Sequence, residues 1–474
     1  MARSAYGSSF WRVAFALCLM LGAASFMNIV VFPMFDHVFS LARDISVLTN
    51  AVCLIGVALV AAFRSSLLDS HVINAASLVC LVAGACGVFV ALAMANVPFL
   101  VASSCVLAAA RGWVSVVVGV ALSRFEVAEI AQAITLAFLG NCAFDYAAWL
   151  LPSSVGLVAF ALLPIASLLL AHAIAKPVLS EVRASDPPAD VAITQPSSFL
   201  ALGSQLFICL FLFRVAFGFS LRFGEVDGAP LADFFSIVPV GILAVATVAS
   251  AGKLMKSDLL AQISVLFVLA GFFTTTVSAD WSHAASVTLL SCGNSLFDVV
   301  GWVVLAAVGA RNVRASVATV AWGRGVSAVG TIVGAAVAVW ANGVSATHPI
   351  AAQLMAGAFV IAFAAYALIG LRNFSFIDAI NGVTEVVEAS ATVEQAPHAS
   401  LDQVCTTISE RYALTPRERE VFEMLARGRD SFYIQEQLTV SRNTVKAHVK
   451  HIYAKLDIHA HQDLLDMVEA EMAK

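Results

Sequence analysis

Charge is what this 474-residue chain has least of: Asp, Glu, Lys and Arg make up only 12% of it, about half the share of a typical soluble domain. That deficit excludes an ordinary water-soluble enzyme as a description of the whole molecule. Metal-ligand spacing is missing as well. Of nine cysteines, Cys18, Cys53, Cys80, Cys86, Cys105, Cys142, Cys209 and Cys292 lie in apolar runs, and none shows the Cys-x-x-Cys or Cys/His spacing of a zinc site. They read as small hydrophobes, with neither a disulfide framework nor a metal site expected. The polar part has no nucleophile–base pair, phosphate loop, paired-carboxylate motif, receiver or kinase pattern, so no catalysis and no cofactor are expected. A general positive charge is absent too: the net charge is −5, and any hold on nucleic acid has to come from a local patch.

What the chain does have is long apolar runs. Hydrophobic residues make up 60% of it, and the charge is uneven: 31 charged residues fall in 1–372 and 26 in the much shorter 373–474. A membrane body followed by a small water-soluble domain accounts for that contrast. Crossing a bilayer takes about 20 mostly apolar helical residues, and twelve segments qualify. They run over 11–32, 45–63, 73–95, 99–122, 131–151, 155–175, 199–219, 234–251, 258–278, 285–308, 316–340 and 350–371. The first lacks a small-residue cleavage site and reads as a helix, not a signal peptide. With the N-terminus in the cytoplasm, Arg3, Arg12, Arg64, Arg124, Lys176, Arg183, Lys253, Lys256, Arg311, Arg314 and Arg372 all lie inside, leaving Arg43 and Arg222 outside. The asymmetry fixes that orientation. An even number of spans then places the C-terminus in the cytoplasm, implying an inner-membrane protein with both ends inside.

The loop from Lys176 to Ser198, with Asp-Pro-Pro and Gln-Pro-Ser, divides the spans into two sets of six. This plan resembles the major facilitator superfamily and implies its fold. The family's Gly-x-x-x-Asp-Arg-x-Gly-Arg loop is absent, with Phe63-Arg64-Ser65-Ser66-Leu67-Leu68-Asp69 in its place, which puts active transport in question. Charges within a bilayer are costly and mark functional candidates; here they are Arg111, Asp145, Arg214, Asp298 and Arg324. The two aspartates share a pattern, Gly140-Asn141-x-x-Phe144-Asp145 with Trp149 and Gly293-Asn294-x-x-Phe297-Asp298 with Trp302. Five matches in ten positions read as a duplication. Yet they relate the fifth span to the tenth, where a six-span repeat requires the eleventh, so either a span is miscounted or the likeness has another origin. Two readings of the five charges stay open: a cavity lining that meets an anionic ligand, or ion pairs that hold helices together.

Residues 373–409 lose the span pattern and carry acids without Lys or Arg, the pattern of a cytoplasmic linker with a helical stalk as the alternative. From 410 a folded domain is expected. Thr415 caps a helix, Pro416 takes its first position and Glu418 completes a capping box. Gly428 is a natural stop, Asp430 caps a second short helix, and a turn at Thr439-Val440 leads to Ser441, a third cap. In the third helix Val445, Val449, Ile452 and Leu456 share one face, while Asn443, Lys446, Ala447 and Lys450 occupy the other. Arg442, Lys446, Lys450 and Lys455, with His448 and His451, form the basic patch that the average conceals. A helix with such a face fits the major groove, where lysine donates to guanine and Ser441 and Thr444 reach phosphate.

Leu414-Thr415-Pro416-Arg417-Glu418-Arg419-Glu420-Val421, Leu425-Ala426-x-Gly428 and Ser441-x-x-Thr444-Val445-Lys446-x-His448-Val449-x-x-Ile452-Tyr453-x-Lys455-Leu456 resemble the LuxR-type helix-turn-helix of bacterial transcription regulators. The resemblance covers about residues 410–472. It implies a four-helix domain whose third helix enters the major groove, with base contacts at Lys446, Ala447 and Lys450, and dimerisation through the last helix near His461 to Glu469. Gln435, Phe432, Tyr433 and His461 depart from the usual pattern. The expected molecule is all-α: a bundle of about twelve membrane helices followed by this domain. It is expected to act as a one-component regulator that binds promoter DNA through Ser441, Arg442, Asn443, Thr444, Lys446, Ala447, Lys450 and His451. Its expected partners are double-stranded DNA, RNA polymerase, a small-molecule effector in the membrane body and a second copy of the chain. A transporter with a regulatory tail, and a constitutive DNA tether, are the rival readings.

Overall fold

The computed structural model describes residues 7–184, 203–222, 237–250, 257–274, 277, 281–372, 374–383, 401–426, 434, 438, 442–456, 458, 464 and 467–468, some of them by backbone alone. It falls into two compact units, Met1–Val386 and Val387–Lys474. No strand occurs among the described residues.

Twelve helical segments occupy the positions of the twelve expected spans. Helices α1 (Ser8–Asp36), α2 (Leu41–Phe63), α3 (Ser70–Met94), α4 (Val97–Leu122), α5 (Val127–Leu150) and α6 (Ser153–Ala184) form the first half. Helices α7 (Gln205–Arg222), α8 (Ile237–Ala249), α9 (Ser257–Thr274), α10 (Ser282–Arg311), α11 (Ser316–Thr347) and α12 (Pro349–Ala365, continued by a π turn over Tyr366–Gly370) form the second. Among the described residues ten helices are long and apolar enough to cross a membrane, and two shorter apolar ones stand at Ile237–Ala249 and Ile361–Gly370. Large aliphatic side chains such as Val79, Val245 and Leu354 are exposed, as residues facing hydrocarbon chains are. The unit is a multi-pass membrane domain.

Between the halves, α2 packs along α11 and α5 along α8; within them, α1 lies against α5 and α6, and α7 against α10 and α11. The α7–α11 seam is reciprocal. A Cβ on Gly218 would meet the Thr331 carbonyl, and one on Gly334 would meet the Val215 carbonyl. Small residues let membrane helices approach to backbone distance, where dispersion and weak polar contacts add up.

Two features differ from expectation. Helix α6 runs to Ala184, nine residues beyond the expected 175. Val178, Leu179 and Val182 bury one face of the extension, and Arg183 pairs with Asp69 at 2.7 Å. Asp69 itself caps α3 by accepting from the His71 and Val72 amides; the Val72 amide first, then Arg183 and the His71 amide, hold its carboxyl below the ordinary value against the opposing pull of burial. Residues 185–198 of the expected central loop lie outside the described residues.

The second difference concerns the segment read as linker, 373–409, which contains helical structure at both ends. Helix α13 (Phe376–Asn381) docks on the membrane unit. Asp258 on α9 accepts from the Ser375 hydroxyl at 2.8 Å and the Phe376 amide at 2.6 Å, and Arg311 on α10 donates to Asn381 and the Val383 carbonyl. Phe376 meets Phe297 edge-on, and Phe297 stacks on Phe213 at 3.5 Å. Polar residues among the apolar ones hide this docking from a hydropathy reading. At the other end, helix α14 (Leu401–Arg411) puts Val404, Cys405 and Ile408 into the core of the C-terminal unit. Residues 384–400, between the two, lie outside the described residues.

In the C-terminal unit, helices α15 (Pro416–Ala426) and α16 (Arg442–Leu456) follow α14. Their core joins Val421, Phe422, Leu425, Ile434, Val445, Ile452 and Leu456 to the α14 residues and to Leu464 and Val468. Helix α14 ends with Ala413 in the left-handed region, φ 48°, and the Leu414 amide reaches back to the Ser409 carbonyl at 2.9 Å, which is how such a bend closes a helix.

Candidate functional sites

The membrane unit holds a cavity of about 420 Å³ whose wall includes Arg111, Asp145, Arg214, Asp298 and Arg324. Arg214 (α7) and Arg324 (α11) converge on Asp298 (α10), at 3.4 and 3.1 Å, and all three side chains are less than a fifth exposed. One carboxylate thus neutralises one of two guanidinium charges. The Arg324 guanidinium also lies 4.5 Å over the Trp302 ring, and Arg214 lies 4.1 Å over Phe217, each an attraction between a cation and the negative ring face. Among the described residues neither the Arg214 Nε nor the Trp302 indole N–H has a hydrogen-bond partner.

Asp145 (α5) accepts from the Asn141 amide at 3.1 Å, one helical turn earlier. Arg111, midway along α4, donates to the Met27 sulfur at 2.6 Å and lies 5.2 Å from the Phe160 ring centroid. No carboxylate among the described residues pairs with it. The ion-pair reading therefore describes Arg214, Asp298 and Arg324 and leaves Arg111 aside.

The repeated Gly-Asn-x-x-Phe-Asp pattern lies on α5 and α10. The two copies do different things. Asn141 binds its own aspartate, whereas Asn294 donates to the Leu290 carbonyl; Trp149 borders the cavity, whereas Trp302 is buried. Because α2 meets α11 and α5 meets α8, the two halves exchange α5 with α11, and the pattern does not follow that exchange.

In the C-terminal unit the capping box is complete: the Thr415 amide donates to Glu418 at 2.8 Å, and the Glu418 amide donates to the Thr415 hydroxyl at 3.3 Å. On α16, Val445, Ile452 and Leu456 are buried and Val449 packs on the core, while Thr444, Ala447, Lys450 and His451 are exposed. Arg442, Asn443 and Lys446 stand on the same helix by backbone alone. Ser441, Phe432, Tyr433, Gln435 and His461 lie outside the described residues.

Lys455, read from sequence as part of the basic face, turns the other way. Its ammonium donates to Glu418 at 2.7 Å and to the Ala413 carbonyl at 2.9 Å, tying α16 to the start of α15. That bond, with the Thr415 amide and hydroxyl, draws the Glu418 carboxyl down to about 2 against the opposing pull of burial. His451 Nδ1 stands 3.9 Å from the same carboxylate. The signal was present: Lys446 and Lys455 are nine positions apart, about half a turn out of phase at roughly 100° per residue. Among the described residues no cluster of His, Cys, Asp or Glu is suited to a metal ion.

These two units define a membrane protein of two parts, a multi-helix bundle around a charged cavity and a small domain that displays one face of its third core helix. Residues 412–468 match the family described as bacterial regulatory proteins, luxR family, and the C-terminal unit carries a LuxR-type helix-turn-helix. Seventy residues of the chain are 37% identical to the uncharacterized response regulatory protein YgeK of Escherichia coli (strain K12), covering 14% of this chain and 48% of that protein. Sixty-six residues are 33% identical to the nitrate/nitrite response regulator protein NarL of the same strain, covering 14% of this chain and 31% of NarL. The chain thus spans about half of the first and a third of the second. In fold it is similar to the major facilitator superfamily proton:xylose symporter XylE, with a TM-score of 0.50 and 12% identity over 76% of this chain and 94% of that one. At that identity the likeness is one of fold alone.

Proposed function

We propose that this protein is a membrane-anchored transcription regulator, resident in the inner membrane with both termini in the cytoplasm. It binds promoter DNA through the C-terminal helix-turn-helix and responds to a small molecule held in the membrane cavity. The observation that carries the reading is one chain joining a luxR-family domain to a twelve-segment bundle with a charged cavity. In this reading Ser441, Arg442, Asn443, Thr444, Lys446, Ala447, Lys450 and His451 form the DNA face, with Lys446, Ala447 and Lys450 at base edges and Ser441 and Thr444 at phosphate. The exposure of Thr444, Ala447, Lys450 and His451 supports it. RNA polymerase and a second copy of the chain are the proposed protein partners. A ligand changes promoter occupancy only by binding two states of the bundle unequally.

Transcript profiling with and without the full-length protein, alongside promoter capture, tests the reading. A defined gene set should respond, and Lys446→Ala with Lys450→Ala should alter promoter choice, each base contact being worth about 1–3 kcal/mol. Removal of residues 414–456 by protease added to intact cells would overturn the topology. The cavity and the facilitator fold favour a second reading, a transporter whose tail reports flux; uptake by vesicles containing residues 1–386 alone would establish it.

A further inference from the structure

The cavity wall holds four arginines (Arg43, Arg111, Arg214 and Arg324) and three aspartates, and the aspartates are already engaged. Asp298 accepts from two arginines, Asp44 takes Arg222 at 2.9 Å, and Asp145 takes the Asn141 amide. Arg111 is left with a thioether, a weak acceptor, and the face of a phenyl ring. The Arg214 Nε adds a buried donor without an acceptor. A guanidinium carries five N–H donors, and holding it in a low-dielectric site without an anion is costly. The remainder of the wall is suited to more than a simple ion. Phe35, Phe138, Trp149, Phe160 and Phe217 supply apolar surface around a space of about 420 Å³, which is within the range of sites for small organic ligands.

We propose that the cavity binds a small organic monoanion, a carboxylate with an apolar body, whose head group meets the Arg111 guanidinium and whose body lies against the aromatic wall. The proposal rests on reading the cavity as the effector site. It assigns Arg111 a role distinct from that of Arg214 and Arg324, whose charge is shared with Asp298. A planar carboxylate matches the guanidinium fork in a way that an amide of the same shape cannot.

The test uses the full-length protein in lipid nanodiscs at constant pH. Benzoate, phenylacetate, 3-phenylpropionate and octanoate are each compared with their primary amides, by thermal unfolding and tryptophan fluorescence, up to about 10 mM. At least one carboxylate should raise the unfolding midpoint saturably while its amide does not. Arg111→Gln should weaken that carboxylate about tenfold or more, and Arg111→Lys should retain part of the affinity. The proposal is overturned if no carboxylate binds, if amides bind equally, if folded Arg111→Gln binds like the parent, or if sodium sulfate stabilises as much as the organic acids. The amide comparison needs no variant and stands even where Arg111→Gln fails to fold. Promoter binding is measured in the same samples. Carboxylate binding that leaves DNA occupancy unchanged upholds the ligand class and removes the regulator reading; DNA binding without carboxylate binding does the reverse.

Discussion

Substituting Glu418 by glutamine separates charge from shape at the junction of α15 and α16. The amide oxygen can still accept from the Thr415 amide, but the ion pair with Lys455 at 2.7 Å is lost. Glu418 is 6% exposed and Lys455 35%, so one end of the pair is shielded and the other wet. A charge-assisted hydrogen bond is worth about 1.5–3 kcal/mol, and the wet end lowers the expected loss to about 1–2 kcal/mol at pH 7. The pH dependence gives a second handle. Folding depresses the carboxyl from about 4.5 to about 2, chiefly through Lys455, so on acidification the unfolded chain takes up the proton first. The stabilisation is therefore complete above the unfolded value and is lost as pH falls through the folded one. Urea unfolding of the soluble unit, residues 387–474, followed by far-ultraviolet circular dichroism at pH 7 and pH 3, reads both effects. Glu418→Gln should be the less stable at pH 7, and the gap should shrink to less than half at pH 3. Equal stability at pH 7, or a gap undiminished at pH 3, refutes charge as the origin of the bond.

Three further outcomes follow from the same geometry. Lys450→Ala should reduce the sequence preference of DNA binding, a base contact being worth about 1–3 kcal/mol, whereas Lys455→Met should leave that preference unchanged and lower stability; titrations of the full-length protein against promoter and unrelated DNA, with thermal unfolding, check both. Gly334→Val and Gly218→Val should each push α7 from α11 and lower the thermal midpoint of the membrane unit in nanodiscs, while Gly343→Val, where a Cβ meets nothing within 4 Å, serves as the control. Ala413→Gly relieves a left-handed alanine and should stabilise residues 387–474 by up to about 1 kcal/mol in the same urea assay.

The long apolar helices were legible because length and apolarity alone mark them. The extension of α6 and the docking of α13 and α14 were not, since each mixes polar and apolar residues and its apolar face is defined only by what it lands on. The same division runs through the candidate sites. Arg111, Asp145, Arg214, Asp298 and Arg324 could be picked out as charges in apolar runs, but that Asp298 would take two arginines and Arg111 none depends on how α4, α7, α10 and α11 are arranged. In the helix-turn-helix the capping box at Thr415 and Glu418 was readable from spacing because it is local. The Lys455 bond to Glu418, spanning 37 positions, was not local, and the helical phase that separates Lys455 from Lys446 was its only trace.

The tenth helix carries Asp298 beside the cavity and Arg311 at its end, thirteen residues later, about 20 Å along a rod that rises roughly 1.5 Å per residue. Beside the aspartate, Phe297 presses on Phe213 next to Arg214 and on Phe376 in α13, while Arg311 grips the chain at Asn381 and Val383. A tilt of only about 5° at the aspartate carries the far end nearly 2 Å over that length. One helix thus joins the aspartate that lines the cavity to the last described turn of the membrane unit.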